Sequence, residues 1–173
     1  MERMSLAEAE LSRHDWSALR CAGGPATGVP QELRGLLAAT NGEERHKHYW
    51  KLDNNVVVQG NLYEAAVPVV SVLCAALADG NTSPYAHSGI VELLFQLVCG
   101  EPHGSEIVLG RSDLDVRVKE AALPALWLFY RELATGYSDL ANMILEELDP
   151  DRARYEFFVA AAIKAGRKVD LFE

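Results

Sequence analysis

A seven-residue segment occurs twice in this chain, and it limits the possible folds more than any other feature. Glu64-Ala65-Ala66-Val67-Pro68-Val69-Val70 returns as Glu120-Ala121-Ala122-Leu123-Pro124-Ala125-Leu126, with the acid, both alanines and the proline in the same places. The likeness continues in kind, since Val72-Leu73 matches Leu128-Phe129 and Leu77 matches Leu133. A repeated apolar segment with a proline at one fixed position points to stacked helical units, because a single unit cannot bury its apolar face alone. Proline inside a helix removes a backbone hydrogen bond and crowds the preceding turn, at a cost on the order of 3 kcal/mol or a kink. Its recurrence predicts that a bend belongs to each unit, and bent second helices let pairs stack with a small rotation. The copies begin 56 residues apart, at 64 and 120. That exceeds a common helical-repeat period of roughly 40–47, and an insertion over 101–112 accounts for most of the excess.

Helix punctuation marks the rest of the chain. A short helix is expected over about 6–11. Asp15 is placed to cap a second one holding Trp16, Leu19 and Arg20, ended by Gly23-Gly24-Pro25. Pro30 suits the first helical position of a third, in which Leu33, Leu36 and Leu37 form one stripe before Asn41-Gly42. From Glu43 through Tyr49, Leu52 and Val56 to Gln59 the pattern reads as a helix with a wet outer end. Val56-Val57-Val58 alone has strand character, but no turn and no alternating partner strand flank it. After the corner at Gly60-Asn61, the first repeat helix carries Leu62, Ala66, Val69, Val70, Leu73 and Leu77, and ends near Ala78. It is apolar nearly all round, so it should be enclosed by neighbours.

Ser83-Pro84 opens the next helix, Ile90, Leu93, Leu94, Leu97 and Val98 give its buried stripe, and Gly100 closes it. A long loop is expected over Glu101–Ser112. Ser112 with Asp115 resembles a capping box at the head of the second repeat helix, which bends at Pro124 and runs to about Thr135. Ser138 and Asp149-Pro150 open two more helices, and the chain should fray from Gly166. Trp16, Trp50 and Trp127 are expected to pack in or beside the core. Glu64 and Glu120, equivalent by repeat, should each lie near a helix start and complement its dipole.

Charge narrows the choice of partner. The net charge is −9, from 25 acids against 16 bases, and no Lys or Arg occurs between Lys51 and Arg111. That interval holds Asp53, Glu64, Asp79, Glu92, Glu101 and Glu106. Such a field repels phosphate backbones and anionic lipid and speeds encounter with a basic protein. An exposed solubilising face is the plain alternative. Neither nucleic acid nor a membrane is an expected partner: the longest apolar stretch, 65–78, is interrupted by Pro68 and Ser71 and is too short to span a bilayer. Met1-Glu2-Arg3-Met4-Ser5 leads into Ala/Glu-rich helix with no signal pattern. Cys21, Cys74 and Cys99 are odd in number and lack metal-type spacing. A cytoplasmic location is therefore expected.

Three constellations bear on chemistry. Glu44 and His48 stand at i, i+4 on one helix face, as two metal ligands could, but no third ligand is placed and Arg45 and Lys47 oppose a cation. The stretch 23–28 is Gly-rich but follows a helix, contains Pro25 and lacks the Lys-Ser/Thr ending of a phosphate loop. Glu101-Pro102-His103-Gly104-Ser105-Glu106 groups an imidazole, a hydroxyl and two carboxylates. Catalysis would need base set against nucleophile, which a flexible loop does not supply, whereas loops on rigid scaffolds often carry recognition.

Asp15-Trp16…Leu19, Ala22-Gly23-Gly24-Pro25-Ala26, Val29-Pro30…Leu33-Arg34 and above all Val58-Gln59-Gly60-Asn61-Leu62-Tyr63-Glu64-Ala65-Ala66-Val67-Pro68-Val69 resemble small bacterial HEAT/armadillo-like α-solenoid proteins. At Val58 the chain departs from that pattern, in which histidine often precedes Gln-Gly, so no role of that histidine carries over. The resemblance implies an all-α, HEAT-like α-α superhelix: a right-handed stack of about three helical pairs behind an N-terminal cap of short helices. The cap spans 1–42, the repeats 43–165 and a frayed tail 166–173. It also implies a binding module without catalytic residues, metal or cofactor, and in bacteria some such proteins resemble immunity proteins that hold a toxin inactive. The expectation is an immunity or antitoxin protein, a monomer when free, that occludes a basic toxin surface. Its expected contact residues are Asp53, Glu64, Glu92, Glu101, His103, Glu106, Asp113 and Asp115. A general adaptor binding a peptide or regulator is the first alternative, and an enzyme using the His103 loop or His48 is the second.

Overall fold

Helix accounts for 67% of the described residues and strand for 6%, so the all-α expectation holds and the strands serve as corner clips. The computed structural model describes residues 4–169. Its helices are α1 (Leu6–Ser12), α2 (Val29–Leu37), α3 (Gly42–Asp53), α4 (Ala66–Asp79), α5 (Pro84–Val98), α6 (Gly104–Val108), α7 (Leu114–Ala122), α8 (Leu126–Thr135), α9 (Ser138–Leu148) and α10 (Arg152–Lys164). Strands β1 (Arg20–Cys21) and β2 (Gly24–Pro25) form one antiparallel clip. In a second, β3 (Val57–Val58) pairs antiparallel with β4 (Asn61–Leu62), and β5 (Glu101–Pro102) joins β4 in parallel.

Helix α4 is the centre. It packs on α1, α5 and α7, which is why a helix apolar on nearly every side is stable here. Val69, Val70, Val72, Leu73 and Leu77 are all buried, and each such side chain contributes roughly 1.5–3 kcal/mol of burial free energy. Around this centre α2 packs on α3, and α9 on both α5 and α8. Asp79 in the last turn of α4 is buried and accepts hydrogen bonds from Ser5 Oγ (3.0 Å), Leu6 N–H (3.0 Å) and Ala7 N–H (3.1 Å). It thereby satisfies the open amides of α1 and locks that helix to the core.

Several helix ends follow the sequence. Ser83 caps α5 by accepting from Ala86 N–H, with Pro84 in the first turn, and Pro30 lies in the first turn of α2. Asn41, expected to stop α2, which already ends at Leu37, instead caps α3 by accepting from Glu44 N–H. Other expectations are corrected. Asp15 binds Ser17 in a turn and no helix follows; Arg20 is already in β1. The helix expected to reach Gln59 ends at Asp53, and Val57-Val58 is strand after all, because β4 supplies the partner that local sequence could not show. The N-cap position of α7 is Asp113, with no capping-box bond from Ser112. Trp16 is buried, but Trp50 and Trp127 are exposed. Arg167 N–H closes α10 on Ala162 O (3.0 Å) and Val169 packs against the core; residues 170–173 of the expected frayed tail lie outside the described residues.

The two proline segments do different work. Pro68 is the third residue of α4, where a missing N–H costs no intrahelical bond, so it starts the helix without bending it. Pro124 sits in a 3₁₀ turn over Leu123–Ala125 that divides α7 from α8. Glu64 accordingly precedes α4, while Glu120 is exposed in the last turn of α7 and not near a helix start. What precedes each copy decides this: a β corner stops helix before Glu64, and α7 already runs before Glu120. The helices that carry the copies do pack on each other.

Candidate partner-binding surface

The site is built on the β corner. Gln59 and Gly60 both adopt left-handed backbone, with φ of 52° and 79°. That is the requirement of a two-residue hairpin turn whose twist matches its strands. The turn lays β4 beside β5, where Glu101 N–H donates to Gly60 O (2.9 Å) and His103 N–H to Leu62 O (3.0 Å). A methyl at Gly100 would meet the Leu62 side chain at 2.7–2.9 Å and Gln96 O at 3.0 Å, so glycine there lets the chain leaving α5 pass close to β4. The expected loop over 101–112 is therefore a strand followed by a helix.

His103 caps that helix, α6. Its Nδ1 accepts from Ser105 N–H (3.1 Å) and lies 2.8 Å from Ser105 Oγ, and its ring stacks on Tyr63 at 4.8 Å. No carboxylate bonds this imidazole among the described residues; the Ser105 amide and the Tyr63 ring orient it. Glu106 points inward from α6 and is 0% exposed. Arg20 Nε donates to its Oε1 at 3.2 Å and Arg111 Nη1 to its Oε2 at 3.2 Å. Arg111 Nε reaches Glu64 Oε1 at 3.1 Å, and Glu64 Oε2 accepts from Arg20 N–H at 3.1 Å. Two carboxylates and two guanidiniums thus tie β1, the approach to α4, α6 and the lead into α7 into one knot.

Outward, α6 and its end present Ile107, Val108 and Leu109 to solvent, with Val108 85% exposed. Glu101 on one side and Asp113 on the other are exposed, and Asp115 is half-buried. The structure thereby brings Glu64, Glu101, His103, Glu106, Asp113 and Asp115 around one short segment. Glu92 lies elsewhere, on α5, in an ion pair with Arg45. Asp53 ends α3, half-buried, and burial raises its carboxyl pKa.

The acidic interval is less negative than its sequence suggests. Glu64 and Glu106 are matched by Arg20 and Arg111, Glu92 by Arg45, and Asp79 by the amide end of α1. The cations come from outside the interval, which is why the count along the chain overstated the field. Glu44 accepts from Thr40, while His48 turns to Glu32 (2.7 Å), so these two do not converge on a metal. Among the described residues no group of three or more His, Cys, Asp or Glu could hold a metal ion, and no helix is long and apolar enough to cross a membrane.

Sequence reasoning missed two features. One is the apolar tip at 107–109, whose signal was three consecutive aliphatic residues inside a segment read as loop. The other is the exposed cluster of Trp127, Phe157 and Phe158 on α8 and α10. Its signal was an α10 apolar on more sides than one neighbour covers. Comparison of the chain with protein-family models, with curated proteins and with solved structures finds no match to any of them.

Proposed function

We propose that this chain is a non-catalytic protein-binding module on a HEAT-like helical scaffold, and that it recognises its partner through α6 and the acids flanking it. The observation that carries the reading is the contrast within α6: Glu106 is wholly buried between two arginines while Val108, two residues on, is almost wholly exposed. A buried ion pair adds little net stability compared with apolar packing. Here it fixes the orientation of a short helix that displays three aliphatic side chains to water. A rigid apolar tip costs less ordering free energy on binding than a flexible loop does. Glu101, Asp113 and Asp115 favour a partner with a basic rim around an apolar socket. A toxin held inactive by occlusion of a cationic surface fits that description, which makes an immunity or antitoxin role the specific form of the proposal.

The test is co-expression with the product of the neighbouring gene, followed by titration calorimetry of the purified pair at low and high salt. Val108→Asp is expected to weaken the complex by at least tenfold, and salt to weaken it further. A complex indifferent to both V108D and salt, or none formed at all, would refute this surface.

A further inference from the structure

Helix α10 carries more apolar surface than its neighbours cover. Tyr155, Val159 and Ala162 are buried on the side facing α8 and α9. Ala153, Phe157, Phe158, Ala160, Ala161 and Ile163 are exposed. Phe157 is 72% exposed, Phe158 37% and Trp127 on α8 60%. The rings form a continuous cluster: Phe158 lies 4.7 Å from Tyr130, 6.0 Å from Trp127 and 6.0 Å from Phe157. This face is held firmly. Asp149 accepts from Arg154 at 2.6 and 2.8 Å and from Tyr130 OH at 2.5 Å, and Arg167 donates to Ser138 Oγ (3.0 Å) and Gly136 O (2.9 Å) at the other end. An uncovered end helix of a stacked array turns a polar face to water. Helix α10 instead exposes two phenylalanines, an isoleucine and three alanines among its four charged residues.

We infer that the outer face of α10, with Trp127, is the interface of a two-fold homodimer in which α10 packs antiparallel on the α10 of a second copy. This stands in place of the monomer expected from sequence and is independent of the α6 reading. Shape supports it first. Ala153, Phe157, Ala160, Ala161 and Lys164 recur at i, i+4, i+7, i+8 and i+11, so they share one face on which a large ring is flanked by alanines. A knob set between holes is complementary to itself under a two-fold axis.

Charge agrees. Antiparallel packing lays Asp151 and Glu156, toward the opening end, over the partner's Lys164 and the partner's Lys168 at the closing end. Arg154 does not oppose this, being committed to Asp149, and Arg152 lies over its own Tyr155 and donates to Glu146 O. Area agrees as well. At roughly 150–250 Å² per aromatic side chain, the exposed parts of Trp127, Phe157 and Phe158 supply roughly 250–420 Å² per protomer, or about 500–850 Å² for the pair. The three alanines of the same face bring this toward the roughly 1,000 Å² that a specific interface requires.

Sedimentation equilibrium of the full chain tests the inference, with Phe157→Asp and Ala160→Arg as variants on exposed positions. The wild type should sediment at twice 19.0 kDa. A central aromatic contact is worth about 30-fold in affinity. The dimer contains Phe157 twice, so F157D should raise the dissociation constant about 1,000-fold with an unchanged far-ultraviolet spectrum. A160R should act in the same direction. A wild type that stays monomeric into the hundred-micromolar range, or a dimer that both variants leave intact, would overturn it; in the first case the face serves a different protein.

Discussion

Replacing Glu106 with glutamine isolates the charge at the heart of the α6 anchor, because shape and volume hardly change. The wild-type carboxylate accepts one hydrogen bond on each oxygen, from Arg20 and Arg111 at 3.2 Å each. The amide retains one acceptor, and its NH₂ must face the other guanidinium, donor against donor. A hydrogen bond to a charged group contributes about 1.5–3 kcal/mol, and truncating one partner of a fully buried pair costs about 3–5 kcal/mol. The lower part of that range applies here. Both arginine side chains are partly exposed and recover hydration, and Arg111 keeps Glu64 at 3.1 Å. The expected loss is about 2–3 kcal/mol, which for a chain of this length lowers Tm by about 5–10 °C. Calorimetry reads the stability, and amide exchange over 104–109 reads the anchoring. Exchange there should rise in E106Q by more than global unfolding accounts for, while the exposed Glu101→Gln changes neither. A Tm within about 1 °C of wild type, with α6 protection unchanged, would refute the view that this buried charge holds the tip.

Two further predictions probe the frame that carries the sites. Arg154, joined by Tyr130 OH and Asp151 N–H, holds the Asp149 carboxyl well below the usual carboxylate range. A group whose folded pKa is depressed stabilises above its unfolded pKa, near 4, and that contribution is lost as pH falls through the lower folded value. Urea midpoints at neutral pH and near pH 3 should therefore differ less in Asp149→Asn than in wild type; an equal difference would remove Asp149 from the acid limb. At Gly35 an added methyl would run into the His48 ring, and that ring is pinned to Glu32 at 2.7 Å. Gly35→Ala should lose about 1–2 kcal/mol despite a helix-propensity gain of about 1 kcal/mol. At Gly89 the closest atom, 2.7 Å away, is the movable end of Leu36, so Gly89→Ala should be the milder change. A G35A protein more stable than G89A in thermal melts would contradict the α2–α3 packing.

What the sequence disclosed was set by how far apart the deciding groups lie along the chain. Ser83 with Pro84 and Gly136 act within one turn, and each marks a helix end where it was expected; Asn41, expected to stop the helix before it, instead caps the one after it. The β corner joins residues near 60 to residues near 101, so Val57-Val58 could be seen as strand only once Leu62 and β5 were in place. The repeated proline misled for a related reason. Proline is tolerated in a first turn and breaks a helix interior, and only the preceding fold decides which applies: α4 begins at Ala66, whereas α7 already runs from Leu114.

Charge shows the same limit with a functional consequence. The lysine-free interval is real in sequence, yet Glu106 is answered by Arg20, 86 positions earlier, and Glu92 by Arg45, 47 positions earlier. Folding therefore converts most of its acids into anchors. The unspent negative charge near α6 is confined to Glu101, Asp113 and Asp115, beside exposed Val108. Screening falls within about 10 Å at ordinary ionic strength. On the proposed reading, a partner would therefore be selected by that small acidic rim and the apolar tip it surrounds, and not by the total of −9.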